Sequence, residues 1–296
     1  MKRIAGIALV SILALGVLAG CGGAKGSPAQ GEQPAQQAPA QDQGQVQGPE
    51  QTQEPVTLTV GATVTPHSEI LEFIKDKAEA EGIKLDIVVF TDYVQPNLAL
   101  ADGSLDANYF QHVPYLEQFS ADRGLDLVSV GPVHLEPLGL YALELTSLDQ
   151  LPDGATVSIP DDPTNAGRAL KLLADHGLIE LKEGVGVKAT PNDIVANPKS
   201  LKIEMLQAEF LPRSLQDVDA AVINTNYYLD AAKNLGVKAN VLARESAENN
   251  PYANIVAVRR GDENRPEIKK LMELLQSEAV ARFINENYDG AVVPAF

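Results

Sequence analysis

From residue 56 onward, the chain alternates between short β-branched runs and longer amphipathic segments. The runs VTLTVGA at 56–62 and IKLDIVVF at 83–90 are typical of strands, and segment 68–80 between them has apolar residues at helical spacing. Two parallel strands need a crossover of about this length, which is usually a helix. The alternation therefore predicts a mostly parallel α/β sheet in a three-layer arrangement.

The same alternation continues to the end of the chain. Further strands are expected at 106–110, 125–135, 155–160, 201–206, 219–224 and 255–258, and further helices at 92–103, 114–122, 165–175, 226–235, 265–276 and 278–287. These elements make two α/β units, which are either sequential domains or two lobes joined by two crossovers.

We favour two lobes, with the C-terminal segment returning to the first. Lobe 1 then comprises residues 56–137 and 253–296, and lobe 2 comprises residues 138–252. Ligands of open α/β sheets lie outside the carboxyl ends of the strands. We therefore expect a ligand cleft between the two lobes.

The N-terminal region predicts export and attachment to a membrane. Residues 1–20 have a basic start followed by a short apolar run, which is typical of a secretory signal. Cys21 is the only cysteine in the chain, and it directly follows Leu-Ala-Gly, as in the lipobox of bacterial lipoproteins. Residues 21–55 are therefore predicted to be a lipidated cysteine followed by a disordered linker rich in Gln, Pro, Gly and Ala.

Charge and motifs argue for binding rather than catalysis. The net charge of −17 argues against nucleic acid and against electrostatic adhesion to anionic lipid. The four histidines have no metal-site spacing, and the sequence contains no phosphate-cradling glycine loop and no G-x-S-x-G motif. We therefore expect no enzyme activity, no cofactor and no metal.

Aromatic side chains are concentrated in DANYFQHVPYL, although the chain has no tryptophan and few aromatic residues. Phe110, His112 and Tyr115 lie at the carboxyl end of an expected strand, and Tyr93 lies in the crossover before it. In a cleft, these rings would suit an apolar or thioether side chain, because sulfur interacts favourably with ring edges. The alternative is a small core of rings packed beneath a loop.

Arg168 is expected in the first turn of a helix that starts near Asn165. A cation at this position opposes the helix macrodipole, so its presence indicates that an anion is bound there. The competing interpretation is an ion pair with Asp161 or Asp162. Asn197, Asn224 and Asn254 lie at strand ends or in loops, where an amide can orient an ammonium and a carboxylate, although each is also a common turn or capping residue.

Over residues 57–296, the chain closely resembles the methionine-binding lipoproteins of the NlpA family, the substrate-binding components of methionine ABC importers. The resemblance rests on four motifs in the same order: TDYVQPNLALADGSLDANYFQHVPYL, DDPTNAGRALKLL, LPRSLQDVDAAVINTNY and NPYANIVAVR. The lipobox agrees with it independently.

The resemblance implies a two-lobed fold of the periplasmic-binding-protein type, with the ligand cleft between the lobes. It also implies a thioether pocket lined by Tyr93, Phe110, His112 and Tyr115, a carboxylate partner in Arg168, and a head-group site at Asn197 and Asn224. The role of His67 is left open, because relatives vary around it.

The implied function is that of a lipid-anchored receptor on the extracytoplasmic face of the cell membrane. It would capture methionine and deliver it to an ABC transporter permease. The alternatives are a receptor for another small amino acid, D-methionine or a methionyl dipeptide, and a surface interaction protein built on the same scaffold.

Overall fold

A computed structural model describes residues 54–296, so Cys21 and the expected leader lie outside the described residues, as does most of the linker. Two main sheets, of six and five strands, and one two-stranded ribbon organise this part of the chain. No helix among residues 54–296 is both long enough and apolar enough to span a bilayer.

The strands and helices are numbered in chain order. The strands are β1 Val56–Thr63, β2 Ile83–Phe90, β3 Ala107–His112, β4 Leu127–Leu135, β5 Gly139–Ala142, β6 Thr156–Pro160, β7 Glu180–Leu181, β8 Ile194–Ala196, β9 Lys202–Leu206, β10 Ala220–Ile223, β11 Asn240–Arg244, β12 Ala253–Arg259 and β13 Val293–Pro294. The helices are α1 Glu69–Ala80, α2 Gln95–Ala101, α3 Val113–Arg123, α4 Pro163–Asp175, α5 Leu211–Ser214, α6 Thr225–Asp230, α7 Pro266–Leu275 and α8 Glu278–Asn287.

The six-stranded sheet has the order β13-β4-β12-β3-β1-β2. Strand β1 is parallel to β2 and β3, whereas β12 is antiparallel to both β3 and β4. The sheet is therefore mixed rather than mostly parallel, and β12 lies between β3 and β4. The physical reason is visible in β12, where residues 254–258 are all buried and so favour a central position with both faces covered.

The five-stranded sheet has the order β11-β5-β10-β6-β9. Strands β10, β6 and β9 are parallel, and β5 is antiparallel to its neighbours β10 and β11. We did not predict β5 or β11. Strand β5 has only four residues, GLYA, which are too few to display an alternating pattern.

Helices cover both faces of each sheet, as the three-layer prediction requires. Apolar residues of α1, α7 and α8 pack on one face of the six-stranded sheet, and residues of α2 and α3 pack on the other. In the five-stranded sheet, α4 covers one face and α5 and α6 lie on the opposite side. One apolar residue of α1 does not pack into the core: Phe73 is 44% exposed and stacks on Phe283.

Candidate functional site

A cavity lies between the two sheets, at the carboxyl ends of β3 and β10. About 330 Å³ within it and in the adjoining solvent is unoccupied by atoms. Its walls are formed by Tyr93, Phe110, Gln111, His112, Tyr115, Glu136, Asn165, Arg168, Asn224, Thr225, Asn226 and Asn254. Six of the seven ligand residues expected from the sequence are among them.

Three rings form one wall of the cavity. The centroid of Tyr93 lies 5.8 Å from that of Phe110 and 5.8 Å from that of Tyr115. The Tyr115 hydroxyl donates to the main-chain carbonyl of Tyr93 at 2.9 Å, which fixes the two rings relative to each other. Phe110 and Tyr115 are buried, and Tyr93 is half-buried. The wall is thus rigid and apolar, which suits an aliphatic or thioether group.

Arg168 reaches the cavity from the second turn of α4. The prediction of a first-turn position is wrong, because the helix begins at Pro163 and the Asp162 side chain caps it by accepting from the Asn165 amide. The argument from the macrodipole therefore does not apply to Arg168, because that effect is confined to the first and last turns of a helix.

Arg168 is held by partners that we did not predict. Its Nε and Nη2 donate to the two carboxylate oxygens of Glu245 at 2.8 and 2.6 Å, and Nη2 also donates to the Glu136 carbonyl at 2.9 Å. The guanidinium carbon lies 4.2 Å from the centroid of the Tyr252 ring. The structure places the ion pair on Glu245 rather than on Asp161 or Asp162, and Nη1 is the nitrogen that these contacts leave for a ligand anion.

A chain of hydrogen bonds orients the amide of Asn224. The Nδ1 atom of His112 accepts from the Tyr115 main-chain amide, so Nε2 carries the proton and donates to Asn165 Oδ1 at 3.2 Å. The same oxygen accepts from Asn224 Nδ2 at 3.2 Å. Burial, aided by the nearby Arg168 guanidinium, lowers the pKa of His112 to about 3, so this ring is neutral at neutral pH.

This orientation leaves the Asn224 Oδ1 atom buried and without a hydrogen-bond partner among residues 54–296. A buried amide oxygen without a partner costs about 1–3 kcal/mol. The atom belongs to a residue that lines the cavity. The cost would be relieved by a hydrogen-bond donor on a bound ligand.

Asn197 is the one expected ligand residue that does not reach the cavity. Its side chain accepts from the Leu201 main-chain amide at 2.8 Å and donates to the Leu201 carbonyl at 2.9 Å. These bonds close the turn that leads from β8 into β9, which is an ordinary role for asparagine. The other asparagines that line the cavity are Asn165, Asn226 and Asn254. Of these, only Asn254 had been considered from the sequence.

The most important residue that sequence reasoning missed is Glu136, in the connection between β4 and β5. Its carboxylate lies with His67 and His134 in a buried cluster whose possible metal ligand atoms are all within 4.8 Å of one another. The sequence did not indicate this cluster, because His67 belongs to a segment far from the one that contains His134 and Glu136. The same donor set, two imidazoles and a carboxylate, occurs in zinc sites.

Hydrogen bonds already account for this cluster without an ion. His134 Nε2 lies 2.7 Å from Glu136 Oε1, and His67 Nε2 lies 3.0 Å from Asn254 Oδ1. The Nδ1 atoms face hydroxyl groups, those of Thr63 and Tyr109. Each imidazole therefore has one acceptor and one hydroxyl partner, which satisfies a neutral ring completely.

The two sheets, the helices on their faces and the cavity between them define the class of two-lobed periplasmic substrate-binding proteins. Residues 58–296 match the sequence profile described as NlpA lipoprotein. The chain belongs to this family.

Individual relatives agree with this assignment. The chain is 44% identical to the methionine-binding lipoprotein MetQ of Bacillus subtilis over 241 residues, which are 80% of this chain and 87% of that protein. It is 42% identical to the D-methionine-binding lipoprotein MetQ of Salmonella typhimurium over 246 residues, 81% of this chain and 89% of the relative. A nutrient-binding protein of Burkholderia cenocepacia, solved bound to methionine, superposes with a TM-score of 0.76 at 46% identity, covering 81% of this chain and 100% of that one.

Proposed function

We propose that this protein is a lipid-anchored receptor that binds methionine on the extracytoplasmic face of the cell membrane and delivers it to an ABC transporter permease. Residues 56–137 with 253–296 form lobe 1, residues 138–252 form lobe 2, and the ligand lies between them. The protein acts by binding and closing, and it carries out no catalysis.

The observation that supports this proposal most directly is the combination of three chemical features in one cavity. Arg168 presents a guanidinium with Nη1 free of the ion pair, and Asn224 presents an amide oxygen without a partner. Tyr93, Phe110 and Tyr115 form an apolar wall. An α-amino acid with an unbranched thioether side chain matches these features: its carboxylate suits the guanidinium, its ammonium suits the amide oxygen, and its thioether suits the apolar wall.

The chemistry of each side chain at the cavity determines its proposed role. Arg168 binds the ligand carboxylate, Asn224 accepts a hydrogen bond from the ammonium, and Tyr93, Phe110 and Tyr115 contact the thioether. His112 acts mainly by holding Asn165 and, through it, Asn224. Asn197 takes no part.

Contacts between the lobes explain how a ligand would be retained. The Tyr93 hydroxyl, in the connection from β2 to α2, donates to Asn226 Oδ1 in α6 at 2.6 Å. His112, at the end of β3, is bonded to Asn165 in α4. Each pair therefore joins the part of the chain around the six-stranded sheet to a helix that packs on the five-stranded sheet. A ligand that touches Arg168 on one side and the ring wall on the other stabilises this closed arrangement, because only the closed state provides both sets of contacts.

Two measurements test the proposal. Native mass spectrometry of protein purified without refolding is expected to reveal a bound molecule of methionine's mass. Titration calorimetry with L-methionine and D-methionine then gives the preferred configuration, which matters because one relative is named for the D-form. Absence of binding to either enantiomer by protein that is folded and free of ligand would refute the assignment.

A further inference from the structure

Glu245 lies where the two connections between the sheets meet. The chain passes from the six-stranded to the five-stranded sheet through residues 136–138, and it returns through residues 245–252. The Glu245 main-chain amide donates to the Leu138 carbonyl at 2.9 Å, and the Leu138 amide donates to Glu245 Oε2 at 2.9 Å. The same carboxylate oxygen accepts from Asn250 Nδ2 at 3.3 Å. Glu245 therefore ties the two connections to each other.

The same two connections hold the guanidinium of Arg168. Its Nε and Nη2 donate to the two carboxylate oxygens of Glu245 at 2.8 and 2.6 Å. Nη2 also donates to the Glu136 main-chain carbonyl at 2.9 Å, and the Tyr252 ring lies against the guanidinium plane, with its centroid 4.2 Å from the guanidinium carbon. These contacts fix the orientation of the guanidinium and leave Nη1 for a ligand anion.

The pair is buried enough to be rigid before a ligand arrives. The Arg168 side chain is 4% exposed and that of Glu245 is 14% exposed, and a bidentate pair with a carboxylate has a specific geometry. A long side chain that must be ordered during binding reduces affinity, whereas one that is already ordered does not. The ligand carboxylate would therefore meet an arginine whose orientation is already set by the protein.

Glu245 also has an effect of the opposite sign, because its carboxylate competes with that of the ligand for one cation. Its other hydrogen bonds reduce this competition. Oε2 accepts from Leu138 and Asn250 in addition to Arg168, so its negative charge is shared among three donors. Ordering of Arg168 is accordingly expected to outweigh the competition.

We propose that Glu245 is a positioning residue for ligand binding, which orders the Arg168 guanidinium from the place where the two connections meet. This inference rests on the proposed function, in which Arg168 binds the ligand carboxylate. Glu245 itself is not among the residues that line the cavity, so it acts only through Arg168. Recognition of the carboxylate then depends on the arrangement of the segments that join the lobes.

The test is a double-mutant cycle with Glu245→Gln and Arg168→Ala, measured by titration calorimetry with methionine. Glutamine has one acceptor oxygen and cannot accept from both Nε and Nη2. In E245Q, methionine affinity is expected to fall by at least about fivefold, because binding must then order the arginine side chain. In the R168A background, the same substitution should change affinity by less than about twofold, because no guanidinium remains to be positioned.

Glu248→Gln is the matched control, since Glu248 is exposed in the same connection, and it should leave affinity unchanged. An equal loss from E245Q in both backgrounds would overturn the inference, because it would make Glu245 a structural residue only. Unchanged or higher affinity in E245Q would also overturn it, because competition for the cation would then be at least as large as ordering. Failure of wild-type protein to bind methionine at all would instead refute the proposed function, and this inference with it.

A second measurement on wild-type protein decides the question if E245Q does not fold. In NMR spectra of protein freed of ligand, the Arg168 Nε–H signal is identified by its loss in Arg168→Lys. Its hydrogen bond to Glu245 should protect this proton from exchange with solvent. Rapid exchange in the ligand-free protein would show that Arg168 is not ordered in advance and would overturn the inference.

Discussion

His112 Nε2 and Asn165 Oδ1 lie 3.2 Å apart, and this pair joins the end of β3 to the first turn of α4. Because the His112 proton is on Nε2, Asn165 must present its oxygen, and Asn224 must then turn its own nitrogen towards that oxygen. The free Asn224 Oδ1 atom is therefore directed by residues on both sides of the cavity rather than by Asn224 alone.

Asn224→Ala should weaken methionine binding strongly, by at least about tenfold, because it removes the partnerless acceptor and the bond to Asn165 together. The ligand-free protein should be nearly as stable as wild type, since the variant also removes a buried unsatisfied oxygen. Titration calorimetry and thermal unfolding measure the two effects. Normal methionine affinity in this variant would place the head group elsewhere.

Asn197→Ala is the matched asparagine control. It removes two hydrogen bonds within the turn before β9, so we expect a loss of about 1 kcal/mol in the free energy of unfolding. Methionine affinity should remain at the wild-type value, because Asn197 does not line the cavity. A loss of affinity comparable with that of Asn224→Ala would contradict the placement of these two residues.

Arg168→Ala should reduce methionine affinity by at least tenfold, because truncating a buried charge-assisted contact typically costs about 2–5 kcal/mol. Arg168→Lys retains the charge but not the planar fork, so its affinity should lie between those of wild type and Arg168→Ala. Circular dichroism must confirm that both variants fold, since each disturbs the pair with Glu245. Unchanged affinity in folded Arg168→Ala would exclude Arg168 as the carboxylate partner.

The ring wall predicts an order of affinity among related side chains. Norleucine is nearly isosteric with methionine and should bind about 1 kcal/mol more weakly, the difference expected when sulfur–ring contacts are lost. Leucine should bind more weakly still, because it branches nearer the backbone. Competition calorimetry on the wild-type protein measures all three, and a preference for leucine would contradict an unbranched pocket between Tyr93, Phe110 and Tyr115.

The three buried histidines make the folded state sensitive to acid. Burial lowers the pKa of His67 to about 4 and those of His112 and His134 to about 3, whereas the ordinary value is 6.5. Below pH 6.5 the unfolded chain therefore binds protons that the folded protein does not. The free energy of unfolding should fall as pH falls from 6.5 towards 4, by up to about 1.4 kcal/mol per pH unit for each histidine.

Urea unfolding at pH 7, 6 and 5 measures this dependence. Burial raises the pKa of Glu136 and Asp162, which opposes the trend only where these carboxylates themselves begin to titrate. His112→Asn should reduce the slope, since asparagine can still cap α3 by accepting from the Tyr115 amide and does not titrate. A free energy of unfolding that is constant from pH 7 to 5 would show that the folded protein protonates these rings.

Cys21 should carry the membrane attachment. Stable anchoring requires two or more acyl chains, which a lipidated cysteine of this kind provides. Cys21→Ala should therefore release the protein from the membrane fraction or leave it as unprocessed precursor of higher mass. Cell fractionation with mass spectrometry distinguishes these outcomes from wild type, and an unchanged mass and distribution would refute lipid attachment.

Sequence patterns identified residues that line the cavity where the signal was local. Phe110 and His112 lie at the end of β3, Tyr115 lies in the first turn of α3, and Asn224 directly follows β10. The positions of these side chains therefore depend on a simple rule about strand ends. Helix α8 spans the expected residues and α7 differs by one residue at each end, whereas α2 is shorter than expected and α5 was not predicted.

The errors arose where distant segments meet. The central position of β12 depends on pairing across more than 100 residues, and the partner of Arg168 is Glu245, 77 residues away. His67 likewise meets His134 and Glu136 from a distant segment of the chain. Such groupings leave no periodicity in the sequence, because they are created by topology.

The central position of β12 also constrains how the polypeptide is completed during synthesis. Strands β3 and β4 have no direct pairing with each other and are bridged by β12, which comes from residues 253–259 near the end of the chain. A nascent chain delivered from its N-terminus therefore leaves one edge of β3 and both edges of β4 unpaired until the C-terminal strands emerge. The five-stranded sheet, built entirely from residues 139–244, is fully delivered earlier, so the lobe that starts first is finished last.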